Sequence, residues 1–126
     1  MSMNNKKEYL SVSDVNRYLY YKFNDDIALQ CVYIQGELSN CKRSGQHYYF
    51  SLKDQNSEIS AMFFYPANLT LHFIPQDGMS VQVVGKIQIY QKRGSYAVIV
   101  NQMTECGIGI LYQKYLELKN KLEHEG

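Results

Sequence analysis

Two basic pairs, Lys42-Arg43 and Lys92-Arg93, bracket a segment dense in rings, from His47, Tyr48, Tyr49 and Phe50 to Phe63 and Phe64. Cations that follow a phosphate backbone, set beside rings on which bases stack, are what a single-stranded nucleic acid requires of a protein. Residue type alone does not establish that chemistry. Basic pairs in turns are common solvated residues, and rings also fill cores or anchor partner subunits. Net charge is only +1, so attraction for a polyanion must come from where the charges are placed. Twelve tyrosines and five phenylalanines, with no tryptophan, suit a half-wet surface as well as a core.

Other chemistries find little support. Metal-dependent hydrolysis needs clustered carboxylates, whereas the twelve acidic residues here are scattered through turns and helix surfaces. Glu37 and Asp54 alone flank a strand near other polar side chains, and a surface or turn role suits both. Cys31, Cys41, Cys106 and His47 lack the paired spacing of a zinc site. No local motif supplies a base to a cysteine nucleophile, His72 and His124 stand alone, and no glycine-rich loop opens a helix in a phosphate-binding pattern. The expectation is a chain without cofactor or metal that does no catalysis itself.

The 126 residues suffice for one core, and 45% apolar with 20% charged residues is the composition of an ordinary folded domain. No apolar run approaches the ~18 residues of a membrane span. The polar start, residues 1–7, lacks the apolar centre of an export signal, and the odd, widely spaced cysteines suit reduced thiols. A cytoplasmic location is the expectation.

Ser11-Val12-Ser13-Asp14 predicts a helix start, and Val12, Val15, Leu19 and Phe23 give one apolar stripe on a helix of about 12 residues. Asn24-Asp25-Asp26 ends it, and the period changes to two. Strand one is expected near 30–38, with Val32, Ile34 and Leu38 on one face. Strand two, near 47–53, alternates Tyr48, Phe50 and Leu52 with His47, Tyr49, Ser51 and Lys53. Strand three, near 58–65, sets Ile59, Ala61 and Phe63 against Ser60, Met62 and Phe64, after a turn at 54–57. Residues 66–78 break the pattern, with Leu69, Leu71 and Phe73 expected to tuck inward. Strand four runs near 81–90, with Gly85 marking a bulge or barrel corner, and strand five near 95–103. Beyond Gly107 and Gly109, the residues Ile108, Leu111, Tyr115, Leu118 and Leu122 predict a final helix.

Helix, five strands and helix, with a connector between strands three and four, describe a mainly β protein: a five-stranded OB-fold barrel with an N-terminal and a C-terminal helix. A small SH3-like barrel would not need that connector. In OB barrels the ligand lies across strands two and three, flanked by the loops joining strands one to two and four to five. The first of these loops, 39–46, contains Lys42 and Arg43, and the second, 91–95, contains Lys92 and Arg93. The candidate nucleic-acid-binding set is therefore Lys42, Arg43, His47, Tyr49, Lys53, Phe64, Lys92 and Arg93.

At G-E-L-S-N-C-K-R (36–43) and H-Y-Y-F-S-L-K-D (47–54) the chain resembles the N-terminal part of the exodeoxyribonuclease VII large-subunit family. That family shows G-E-[IL]-S-N, a basic loop, then S-G-H-x-Y-F-x-L-K-D. The likeness continues through Pro75, Asp77, Gly78, Met79, Val81, Gly85, Tyr90, Gly94, Tyr96 and Met103, then G-I-G (107–109) and L-K-x-K-L (118–122). It covers nearly everything from Tyr9 onward. In one departure, Gln46 separates Gly45 from His47, where the family places histidine directly after Ser-Gly. The resemblance implies an OB domain ahead of a catalytic domain and a long helical region that binds many small subunits. It also implies a parent enzyme that degrades single-stranded DNA from both ends to oligonucleotides. On this basis residues 1–8 are a lead-in, 9–106 the nucleic-acid-binding domain and 107–126 a helix leading towards the catalytic part. Single-stranded DNA is the expected partner, and small subunits bind through the remainder of the parent chain. A subunit-assembly domain, or an OB domain for single-stranded RNA or tRNA, stays open as an alternative.

Overall fold

The computed structural model describes residues 8–106; residues 1–7 and 107–126, and with them the expected final helix, lie outside the described residues. Helix α1 (Val12–Asp25) begins at a reciprocal cap. Ser11 Oγ accepts the Asp14 N–H at 3.0 Å, and the Asp14 carboxylate accepts the Ser11 N–H at 3.4 Å. A serine cap of this kind is worth about 1 kcal/mol. The predicted stripe turns inward only in part. Val15 and Phe23 are half-buried, with the Phe23 ring 6.5 Å from that of Tyr96, whereas Val12 is 78% exposed and Leu19 is also exposed. Helix α1 packs chiefly on strand β4, and its first turn reaches beyond what the barrel covers.

Asp26 ends α1 and starts a further short helix, α2 (Ile27–Gln30), by accepting the N–H groups of Ala28 at 2.9 Å and Leu29 at 3.3 Å. Five strands follow: β1 (Val32–Ser44), β2 (His47–Lys53), β3 (Glu58–Phe63), β4 (Ser80–Tyr90) and β5 (Ser95–Glu105). They close in the order β1-β2-β3-β5-β4, with β3 and β5 parallel and every other neighbour antiparallel. This is the expected OB-fold barrel. Leu38, Phe50, Leu52, Ala61, Phe63, Val81, Val83, Val98 and Val100 fill its interior, so the predicted alternation of strands two and three holds. Gly85 lies where the β4–β5 register shifts, and a Cβ there would run into the Ile99 carbonyl across the ladder. Only a glycine lets the backbones approach so closely at that corner.

Two stretches depart from expectation. The segment 39–46, expected as a loop, is mostly strand: β1 continues to Ser44, and a tight turn through Gly45 (φ 61°) leads straight into β2. A bulge between Ser39 and Lys42 interrupts the β1–β2 ladder, with Asn40 at φ 54°. Two residues that break the period-two pattern explain why the alternation reads as ending at Leu38. In the connector, Leu71 and Phe73 pack against the core as expected, but Leu69 is 68% exposed on the short 3₁₀ turn Ala67–Thr70. Its place is taken by Asn68, which is buried and donates to the carbonyls of Gln46 at 2.6 Å and Phe63 at 3.1 Å.

Candidate nucleic-acid interface

Alternation on β2 turns Phe50 inward, 4% exposed, and leaves His47, Tyr49 and Ser51 half-buried on the outer face, with Lys53 exposed at its end. Across the β2–β3 ladder Tyr49 opposes Met62 and Ser51 opposes Ser60. Phe64 follows β3 and stands between two rings of β2, edge-on to both: 5.2 Å from His47 and 6.1 Å from Tyr49, with interplanar angles of 86° and 79°. Edge-to-face packing sets the positive rim of one ring against the negative face of the next, which fixes their tilt. The Tyr65 N–H donates to His47 Nδ1 at 3.1 Å, so His47 is anchored as an acceptor.

Beside this cluster lies an open groove of ≈ 440 Å³. Tyr49, Met62 and Phe64 line one side; Tyr90, Arg93 and Tyr96 line the other. The structure thus brings Tyr49, Phe64 and Arg93, three of the candidate residues, to one groove. It adds Tyr90 and Tyr96, 51% and 54% exposed, which belong to the ends of β4 and β5. Their sequence positions at the mouth of the basic turn are the signal that could have placed them there.

The basic residues distribute unevenly. Lys42 opposes Tyr49 in the β1–β2 ladder and so shares the outer face. Arg43 opposes Tyr48 on the other face, its guanidinium 5.5 Å from that ring's centroid and its Nε donating to the Gly45 carbonyl at 3.2 Å. The two halves of this pair therefore point apart. Lys92 and Arg93 are exposed on the turn joining β4 to β5, and Arg93 reaches the groove. Lys53 stands at the far end of β2, opposite Glu37 on β1 and Glu58 on β3, and its charge also helps hold Asp77 ionised. Among the described residues the single close ion pair is Asp14 with Arg17, so Lys42, Arg43, Lys92 and Arg93 have no ion partner there.

The carboxylates serve the chain's own turns. Asp54 Oδ1 accepts the Asn56 and Ser57 N–H groups at 2.8 and 2.9 Å, and those bonds hold its carboxyl below the usual value. Asp77, from the turn before β4, accepts the Cys41 N–H at 2.8 Å and pins the β1 bulge; that bond is the main cause of its lowered pKa. Burial, and then Asp77, push the Cys41 thiol up to about 12, which disfavours the thiolate that nucleophilic chemistry requires. No three His, Cys, Asp or Glu converge among the described residues, and no helix there is long and apolar enough to cross a membrane.

A closed five-stranded barrel with rings on β2 and β3 and cations on the adjoining turns defines a class, and comparison with known proteins agrees. Residues 10–104 match the family described as OB-fold nucleic acid binding domain, and the chain belongs to that family. Within it, the chain is similar to exodeoxyribonuclease 7 large subunits. It is 47% identical to that of Ligilactobacillus salivarius over 120 residues, which is 95% of this chain and 27% of the relative. Against that of Staphylococcus saprophyticus it is 48% identical, covering 94% of this chain and again 27% of the relative. The chain thus spans about a quarter of the length of these relatives, at their N-terminal part. Solved structures of the same fold include a replication protein A heterotrimer bound to ssDNA (TM-score 0.52, 12% identity, 75% of this chain and 74% of that one). Another is the S. pombe Stn1-ten1 complex (TM-score 0.54, 14% identity, 75% and 72%).

Proposed function

We propose that this chain binds single-stranded DNA across the outer face of β2 and β3. On this reading it is the N-terminal module of an exonuclease VII large subunit, delivering strands to a nuclease domain elsewhere in the parent chain. The observation that carries the reading is the groove itself, where the rings of Tyr49 and Phe64 face Tyr90 and Arg93 across ≈ 440 Å³ of open space. Bases stack on such rings whatever their sequence, while Lys42, Lys92 and Arg93 lie at the rim for the backbone. The names of the similar relatives supply the nuclease context. The reading carries with it a cytoplasmic location, small subunits as partners of the rest of the parent chain, and no hydrolysis by this chain alone.

A salt titration of fluorescent oligo-dT binding tests it. If Lys42, Lys92 and Arg93 each neutralise one phosphate, log Kobs should fall against log salt with a slope of roughly −2. Replacing Lys92 and Arg93 together by Ala should flatten that slope by about 1 to 1.5 units. An unchanged slope removes the turn from the site, and equal affinity for oligo-U removes the preference for DNA. Labelled single strands incubated with Mg²⁺ and with EDTA should both stay intact.

A further inference from the structure

The turn that carries Lys92 and Arg93 is closed from within by its own backbone, the Arg93 and Gly94 N–H groups donating to the Tyr90 carbonyl at 3.2 and 2.9 Å. Such a two-residue tip can still swing about its strands. A second tie comes from α1, 75 residues away in sequence: Asn16 Nδ2 donates to the Gln91 carbonyl at 2.8 Å. On the other flank of the tip, Gly94 (φ +62°) lies beside the same carboxamide. A Cβ at that position would lie 3.1 Å from Asn16 Oδ1 and 3.2 Å from Nδ2. One side chain therefore bonds the residue before Lys92 and stands beside the residue after Arg93.

We infer that Asn16 is a positioning residue for nucleic-acid binding, holding the basic turn 91–94 from the N-terminal helix so that Arg93 stays at the groove. This rests on reading the groove as a nucleic-acid site. Asn16 is not among the residues lining the groove and works through Gln91 and Gly94. Helix α1 packs on β4 and sets Phe23 against Tyr96, and its own first turn is closed by the Ser11–Asp14 cap, so it can serve as a mount. A turn ordered in advance loses less conformational freedom when a strand binds, and that saving appears directly as affinity.

The test uses the whole chain with Asn16→Ala, which removes the donor, and the near-isosteric Asn16→Asp, which replaces it with an acceptor facing the Gln91 carbonyl. In the free protein, amide exchange of Arg93 and Gly94 should quicken in both variants, while Val98 and Val100 in the core stay unchanged. Oligo-dT affinity should fall about three- to tenfold, the range for one lost hydrogen bond. Adding Lys92→Ala and Arg93→Ala to either variant should flatten the salt slope less than the same pair does in the wild type. A merely structural Asn16 would lower the melting temperature and loosen the core amides, leaving that difference in slope at zero. Unaltered exchange at 93 and 94, or full additivity with the basic pair, overturns the inference. Absence of any oligo-dT binding by the wild type would instead remove the proposed function, with the exchange data still deciding whether Asn16 holds the turn.

Discussion

Two grooved outer faces of the barrel are built by the same strand alternation, and they differ in kind. Across β2, β3 and the start of β5, rings and Arg93 line a groove of ≈ 440 Å³. Across β1, β4 and the end of β5, a groove of ≈ 380 Å³ is lined by Tyr33, Gln35, Gln82, Gln102 and Thr104, with no charged side chain among its lining residues. There the amides answer one another, Gln82 Nε2 donating to Gln35 Oε1 at 3.2 Å. A neutral amide face offers hydrogen bonds but no field, and the phosphate term supplies most of the affinity for a nucleic acid. Barrel closure makes surfaces freely, and the placement of cations and rings decides which surface suits a polyanion.

Along β2 neighbouring rings face opposite ways, Tyr49 to the groove and Phe50 to the core. Phe50→Ala should cost about 3–5 kcal/mol of stability through a core cavity, read by thermal melt or denaturant. Tyr49→Ala should leave the melt nearly unchanged and weaken single-strand binding by about 1–3 kcal/mol, the loss of one stacking platform. If Tyr49→Ala unfolds the chain and Phe50→Ala does not, the two faces are exchanged. On the opposite side, Gln35→Ala with Gln82→Ala should change oligonucleotide affinity by less than about 0.5 kcal/mol, within the usual range of surface substitutions. A loss equal to that of Tyr49→Ala would erase the distinction between the grooves.

Much of this contrast was legible in the sequence because it rests on local rules. Period-two alternation separated Tyr49 from Phe50, Ser11 and Asp14 announced α1, and Gly85 announced the bulge on β4. What stayed hidden depends on closure. Tyr90 and Tyr96 reach the groove because β5 runs parallel beside β3, a pairing between segments over 30 residues apart whose register no local pattern records. The bond from Asn16 to Gln91 is equally long-range. The β1 bulge was hidden for a different reason: it breaks the very period by which strands are recognised. Its consequence is specific. Ser39 opposes Ser51 and, after the shift, Lys42 opposes Tyr49, whereas an unbroken ladder would set Cys41 opposite Tyr49 and turn Lys42 away.

That bulge lies within the part of β1 paired with β2, just past Glu37 where the pairing with β4 ends, and Asp77 is the side chain that pins it. The Asp77 carboxyl titrates below its ordinary value of 3.8, first because the Cys41 N–H donates to it and, as a lesser cause, because Lys53 is near. A carboxyl whose folded pKa is depressed stabilises the fold fully above its unfolded pKa, and that contribution is lost as pH falls through the folded value. Asp77 is solvent-exposed, so the expected effect on melting is small. The effect on geometry is easier to read. The Cys41 amide resonance should shift on acidification with a midpoint below 3.8, and the Asp77→Asn variant should lack that shift, because its amide oxygen still accepts the Cys41 N–H without titrating. Oligo-dT affinity, compared between the two proteins, should converge as pH passes below the midpoint, since both then hold the bulge with a neutral acceptor. A Cys41 midpoint at or above 3.8, or an unaltered titration in Asp77→Asn, would mean that another contact sets the register by which Lys42 joins the ringed face.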